Sequence, residues 1–203
     1  MKPDPVIFVV DDDEAVRDSL CFLLEAAGYR CAAFPSGAAL LQARPALSFG
    51  CLLLDVRMPE IDGVTTLERL RAEGFLLPTI IITGHADVPL AVRAMKAGAR
   101  DFIEKPFSDG VILEAIAAAL SAEANAPGQE AVAKVASLSP REREVLEGLV
   151  AGLPNKTIAY DLGISPRTVE IHRAHVMEKL AARSLSDLVR TALAAGVDVR
   201  PRR

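Results

Sequence analysis

Four groups of residues, far apart in the chain, have the side-chain types to do phosphoryl chemistry together. They are the acidic run Asp11-Asp12-Asp13, the single Asp55 that ends the apolar stretch Gly50-Cys51-Leu52-Leu53-Leu54, the hydroxyl of Thr83, and the ammonium of Lys105 before Pro106. Carboxylates crowded into one pocket repel unless a cation shares them. A hard divalent ion such as Mg2+, which takes oxygen ligands and keeps several waters, meets that demand. A carboxylate beside such an ion is then equipped to attack phosphorus, with the metal and Lys105 on the phosphoryl oxygens and Thr83 donating to one of them. Taken alone, Asp55 reads as a cap of the loop that follows; the company it keeps makes it a nucleophile. No His, Ser or Cys in this half of the chain has the partners for hydrolytic catalysis.

The elements that must position these groups are legible as five short apolar runs: Val6 to Val10, Arg30 to Phe34, Cys51 to Leu54, Thr79 to Ile82 and Asp101 to Glu104. Helical stripes alternate with them. Val16, Leu20, Leu23, Leu24 and Ala27 form one, closed by Gly28; Leu67 and Leu70 belong to a second that ends near Gly74; Val88 to Ala97 forms a third; an Ala-rich amphipathic stretch from about Asp109 to Ala124 forms the last. Strands alternating with helices predict a doubly wound, five-stranded parallel α/β sheet with helices on both faces. The reactive groups follow the first, third, fourth and fifth strands. Parallel strands bring those four carboxyl ends to one rim, where open α/β sheets place their ligand sites. Asp13 stands where the first helix begins and reads as its cap rather than as a ligand. Arg57 and His85 lie two residues beyond Asp55 and Thr83, at the rim, where two readings stay open: they admit or exclude an attacking water, or they are solvated loop residues.

The chain has 203 residues, 51% of them hydrophobic, and a net charge of −4. It lacks a secretory leader at its start and any apolar run of about 20 residues, so a cytoplasmic protein with no membrane partner is expected. Cys21, Cys31 and Cys51 show no paired or metal-type spacing and read as buried, reduced thiols. The charge is unevenly placed. Residues 1–126 carry 11 Lys/Arg against 18 Asp/Glu, a balance of −7, and residues 127–203 carry 12 against 9, a balance of +3. That asymmetry predicts two domains with different partners, the second a polyanion.

The ordered set on residues 1–124, an acidic pair, a central Asp, then Thr, then Lys-Pro, resembles the receiver domain of bacterial two-component response regulators, which is flavodoxin-like. The resemblance implies that Asp11, Asp12 and Asp55, with the backbone carbonyl of Arg57, hold Mg2+, that Asp55 is the phosphoacceptor, and that Thr83 and Lys105 contact the phosphoryl group. It also implies that Phe102 is the aromatic that moves with Thr83, and that the Lys105-Pro106 bond is cis. No other cofactor is implied.

Residues 125–136 read as a linker, Ala/Glu/Gln-rich and broken at Pro127-Gly128. From residue 137 to 203 the pattern is helical only. Ser139-Pro140 opens one helix; Asn155 is expected to cap a second, Lys156 to Leu162, ended by Gly163; Ser165-Pro166 opens a long third; Ser184 opens a fourth. Two helices joined by a Gly-containing turn, the second longer and basic, spell a smaller, all-α helix-turn-helix domain. On the third helix Val169, His172, Val176 and Leu180 form the inward stripe. The opposite side presents Arg167 and Glu170, which can read base edges, and Ile171 and Ala174, which can meet thymine methyls. Lys156, Thr168, Arg173, His175 and Lys179 flank it as phosphate contacts. With a surplus of only +3, one domain should bind DNA weakly, and tight binding should need a second copy.

Leu138-Ser139-Pro140-Arg141-Glu142 and Ser165-Pro166-Arg167-Thr168-Val169-Glu170 resemble the C-terminal DNA-binding domain of LuxR-type regulators. The runs Asp11-Asp12-Asp13-Glu14-Ala15-Val16-Arg17-Asp18-Ser19-Leu20, Asp55-Val56-Arg57-Met58-Pro59, Thr83-Gly84-His85-Ala86-Asp87-Val88-Pro89-Leu90-Ala91-Val92 and Glu104-Lys105-Pro106-Phe107 are similar to the FixJ group. That resemblance implies phosphotransfer from a sensor histidine kinase of the FixL type, homodimerisation through about Val88 to Asp101, promoter DNA as target, and control of oxygen-responsive or nitrogen-fixation genes. Two other readings stay open here: a Mg2+-dependent aspartyl-phosphate phosphatase, and a constitutive DNA-binding regulator with a degenerate receiver.

Overall fold

In a computed structural model the chain is described at residues 4–43, 49–84, 88–121 and 128–197. Two compact units divide it, one built on a sheet and one on the C-terminal helices. Before the C-terminal helices the chain runs β1 (Val6–Val10), α1 (Glu14–Ala26), β2 (Arg30–Phe34), α2 (Gly37–Ala43), β3 (Gly50–Asp55), α3 (Gly63–Ala72), β4 (Thr79–Thr83), α4 (Val88–Lys96), β5 (Asp101–Glu104) and α5 (Asp109–Ser121), of which all but α4 fall in the first unit and α4, save its last residue, in the second. All strand pairs are parallel, in the order β2-β1-β3-β4-β5. The short α2 was not anticipated from the sequence; at seven residues it is too brief to show a period.

Burial follows position in the sheet. Every residue of β3 and β4 is buried, whereas the edge strand β2 is partly exposed along its length. That is why β3 and β4 read as continuous apolar runs rather than as alternating ones. One face packs Ile7, Val9, Leu53, Ile80, Ile82 and Ile103 beneath Leu20 and Leu24 of α1 and Ile112 and Ile116 of α5. Leu24, with no exposed surface, stabilises the fold by about 2 kcal/mol through burial alone.

Two glycines fix how tightly the frame closes. A Cβ on Gly50 would stand 1.8 Å from the carbonyl oxygen of Val6, across the β1–β3 ladder. One on Gly63 would stand 2.1 Å from the carbonyl oxygen of Asp55, so only glycine lets the start of α3 lie against that loop.

The cysteines correct the expectation of three free thiols. Cys21 on α1 and Cys31 on β2 form a disulfide, with Cα atoms 5.5 Å apart, and Cys51 alone is free and buried. The reason is tertiary: α1 turns back through Ala27, Gly28 and Tyr29 into β2 and packs along it, bringing residues ten apart within bridging distance.

The second unit contains α6 (Gly128–Ala136), α7 (Pro140–Val150), α8 (Asn155–Leu162), α9 (Pro166–Lys179) and α10 (Leu185–Ala194). Here α6 packs on α10 and buries Ala131 and Val135, so residues 128–136, expected as linker, form part of a folded unit. Val145, Leu146, Leu149, Ile158, Val169, Val176, Leu188 and Val189 make its core. Gly163, with φ 63°, closes α8 in the left-handed conformation and makes the turn into α9. Asn155 is not the cap of α8. Pro154 holds that position without a side-chain bond, and the Asn155 Oδ1 is buried with no hydrogen-bond partner among the described residues.

Candidate phosphoacceptor site and nucleic-acid interface

Strand register builds the first site. Val10 pairs with Leu54, Leu54 with Ile81 and Ile81 with Phe102, so the next residue along puts Asp11 beside Asp55. One step further, Thr83 pairs with Glu104, and Lys105 follows directly, its N–H donating to the Thr83 carbonyl at 2.7 Å. The Lys105-Pro106 bond is cis, as expected.

Asp11 and Asp55 are 4% and 6% exposed. Lys105 Nζ bridges them, 2.6 Å from Asp11 Oδ2 and 2.8 Å from Asp55 Oδ1. The other Asp55 oxygen, Oδ2, accepts the Arg57 N–H at 2.6 Å. Asp11 Oδ1 accepts the Asp13 N–H, and the Arg17 guanidinium donates to the Asp11 carbonyl at 2.8 Å, a link from α1 that the sequence reading missed. Burial pushes the Asp55 carboxyl up from its ordinary value; the Lys105 hydrogen bond and charge oppose that, and the Asp11 charge adds to it. Burial alone would lower the Lys105 ammonium, but the hydrogen bonds and charges of both carboxylates outweigh it and hold it up.

The remaining expected residues fall as follows. Asp12 is exposed, and Asp13 accepts the Ala15 N–H at 2.9 Å as the α1 cap. Thr83 is fully buried, Phe102 is half-buried, and Arg57 is exposed at the rim. His85 lies outside the described residues. Among the described residues, no three His, Cys, Asp or Glu side chains converge as a metal cluster. The donor set still suits a hard cation: Asp11, Asp55 and the Arg57 carbonyl are all oxygen donors, and Asp12 stands next to Asp11 in the chain. Two desolvated carboxylates neutralised by a single ammonium leave an unmatched negative charge for such an ion to meet.

The second site is the outward side of α9. Ser165 caps it through the Thr168 N–H at 3.1 Å, with Pro166 in the first turn. Val169, Val176 and Leu180 are buried as the period predicts, and His172 packs with them, its Nδ1 buried without a partner among the described residues. Outward stand Arg167 and Glu170, joined at 3.1 Å, together with Ala174 and Ile171, the last 47% exposed. Lys156 is exposed on α8, and Arg173 is half-buried. Lys179 and His175 turn to α7: Lys179 Nζ lies 2.6 Å from Glu142 Oε2, and His175 Nδ1 lies 3.9 Å from Glu142 Oε1.

Glu142 also accepts the Ser139 N–H at 2.7 Å, completing a capping box at the head of α7. These bonds, the Lys179 one first, lower its carboxyl to about 2. Its neighbour Arg141 donates to the carbonyl of Leu162, the last residue of α8, at 2.5 Å. The head of α7 thus grips both helices of the helix-turn-helix. The Ser-x-x-Glu spacing at Ser139 and Glu142 was the signal that could have found the capping box.

The chain belongs to the response regulators: the response regulator receiver domain family matches residues 7–117, and the luxR family of bacterial regulatory proteins matches residues 136–192. Within that class it is a FixJ-like two-component transcription regulator. It is 54% identical to the transcriptional regulatory protein FixJ of Bradyrhizobium diazoefficiens, covering 94% of this chain and 96% of the other. It is 48% identical to the C4-dicarboxylate transport transcriptional regulatory protein DctR of Rhodobacter capsulatus, covering 91% and 97%. Among solved structures, full-length FixJ from B. japonicum is similar with a TM-score of 0.56 and 53% identity, covering 95% and 97%. A receiver joined to a DNA-binding domain implies a sensor kinase and DNA as partners. No helix among the described residues is long and apolar enough to cross a membrane.

Proposed function

We propose that this protein takes a phosphoryl group from a FixL-like sensor histidine kinase onto Asp55 in the cytoplasm. In the phosphorylated state it dimerises and activates oxygen-responsive or nitrogen-fixation promoters. The observation that carries this reading is the buried Asp55 carboxylate, held by Lys105 beside Asp11 at the carboxyl end of the central strand.

Asp55 attacks the phosphorus of a phosphohistidine whose other ring nitrogen carries a proton; the new bond is O–P, the P–N bond breaks with its electron pair going to nitrogen, and the histidine leaves as neutral imidazole. Lys105 moves from a carboxylate partner to a phosphoryl oxygen, and Thr83 donates its hydroxyl to another. Asp11, Asp12, Asp55 and the Arg57 carbonyl would hold Mg2+, which when bound supplies positive charge that screens the phosphoryl oxygens. Phosphorylation places about −1.5 to −2 charges where one carboxylate stood, and that charge draws Thr83 inward with Phe102 following. The surface from about Val88 to Asp101 changes with them and pairs two copies. The receiver's catalysis extends to the gain and loss of its own phosphate only.

On DNA, Arg167, Glu170, Ile171 and Ala174 face base edges, while Lys156, Thr168 and Arg173 meet phosphates. Lys179 and His175, engaged with Glu142, serve as phosphate contacts only if that engagement is shared. Two domains on paired half-sites multiply weak single-domain affinities.

The test supplies acetyl phosphate with Mg2+ to the full chain and follows protein-bound phosphate, oligomer size and affinity for promoter DNA. All three should rise together and be lost in Asp55→Asn. Responses unchanged in Asp55→Asn would sink the reading; rapid turnover of the donor would mark a phosphatase, and phosphate-independent DNA binding a constitutive regulator.

A further inference from the structure

We propose that Cys21 and Cys31 form a reversible dithiol–disulfide modification site that fastens α1 to the edge strand β2. The two residues lie on adjacent elements with Cα atoms 5.5 Å apart and a bridge between them. Both are half-buried, and Phe22 beside Cys21 is 77% exposed, so small reagents reach this corner of the unit. Bridges in a compartment buffered by glutathione and thioredoxin are characteristically transient and redox-sensing rather than permanent. A regulator working on chromosomal DNA meets that milieu, and in this one respect the inference rests on the function proposed above.

The third cysteine is an internal control. Cys31 and Cys51 both pair in register with Ile7, from strands on either side of β1, so they stand about 9.6 Å apart, beyond the reach of a bridge. Cys51 has no exposed surface, and burial pushes its thiol up to about 12. It neither exchanges with the pair nor reacts in its place.

The chemistry needs a low-molecular-weight disulfide such as oxidised glutathione. One cysteine thiolate attacks it, forming a mixed disulfide and releasing one reduced thiol. The second thiolate attacks the mixed disulfide, closes Cys21–Cys31 and releases the other. Two protein thiols lose two electrons and two protons, and one glutathione disulfide becomes two glutathione thiols. The bridge bears on the phosphoacceptor pocket through α1, because the Arg17 guanidinium on that helix donates to the Asp11 carbonyl and Asp13 caps its first turn.

The full chain, equilibrated over a series of oxidised-to-reduced glutathione ratios, is unfolded, alkylated with a maleimide and weighed. Three labels are expected at the reducing end and one at the oxidising end, with the transition inside the range that the two glutathione forms can span. The receiver's thermal midpoint should rise by roughly 10 °C on oxidation, because the bridge closes a short loop in the unfolded chain, and exchange of the α1 amides should slow. Cys51→Ser should keep both responses; Cys21→Ser and Cys31→Ser should lose both while remaining folded in reducing buffer. Three labels at every ratio, glutathione adducts without an internal bridge, or a bridge that survives excess reduced glutathione would each overturn the proposal. Labelling requires neither phosphate nor DNA, so its failure leaves the phosphotransfer reading standing.

Discussion

Replacing Lys105 with Met should destabilise the sheet-bearing unit, and the structure sets the size of the effect. The Lys105 ammonium touches Asp11 Oδ2 at 2.6 Å and Asp55 Oδ1 at 2.8 Å, so the two oxygens lie within about 5.4 Å of each other. With an effective dielectric of about 20, two bare charges at that distance repel by about 3 kcal/mol. Met keeps the length of the stem but leaves both carboxylates without their cation, so a loss of about 3 kcal/mol is expected at pH 7. With a urea slope of about 2 kcal/mol per molar, the midpoint falls by about 1.5 M. Hydrogen exchange of the β3 amides across the urea series assigns the change to this unit. Acid should shrink the deficit. Burial already raises the Asp55 carboxyl, and removing Lys105 takes away the largest influence that lowers it. A folded-state value above the unfolded one means proton uptake on folding, so stability falls as pH rises through that window and recovers below it. Equal midpoints for the two proteins at pH 7, or a deficit that does not shrink as the pH is lowered, would refute the electrostatic argument.

Five further variants carry expected outcomes. Gly63→Ala drives a methyl to within 2.1 Å of the Asp55 carbonyl and should cost about 1–3 kcal/mol by calorimetry, with slower phosphorylation because the acceptor loop is displaced. Leu146→Ala, at a position with no exposed surface, should lower the stability of the helical unit by about 2–5 kcal/mol in denaturant titration. The carboxyl of Glu142, depressed from 4.5 to about 2, contributes stability above pH 4.5 that is lost as pH falls towards 2, so Glu142→Gln should flatten the acid unfolding of that unit. In DNA titrations over a range of salt, Arg173→Ala should reduce the salt slope by about 1; Lys179→Met should weaken binding without changing it, because Lys179 is engaged with Glu142.

Where local pattern decides structure, the sequence was a sufficient guide. Three of the five strands, β1, β2 and β5, have the bounds expected from their apolar runs, and the Asp11–Asp55–Lys105 cluster follows once those strands are parallel. What escaped depends on tertiary return. The Cys21–Cys31 bridge exists because α1 folds back along β2, and a spacing of ten carries no sign of that. The packing of α6 on α10 joins residues some sixty positions apart, so an Ala-rich stretch looked like linker. Lys179 resembled a phosphate contact because basic residues on a helix face do; only the fold supplies Glu142 as its partner. Asn155 illustrates a different failure, since a good capping residue stands one position inside the helix it was expected to start.

The candidate reactive groups of the receiver sit on loops and strand ends, beside the wholly buried strands β3 and β4. Arg57 is exposed at that rim, two residues from Asp55, which ends a strand buried along its whole length. On the function proposed above, a substitution at Arg57 changes the rim of the phosphoacceptor pocket without touching a core residue.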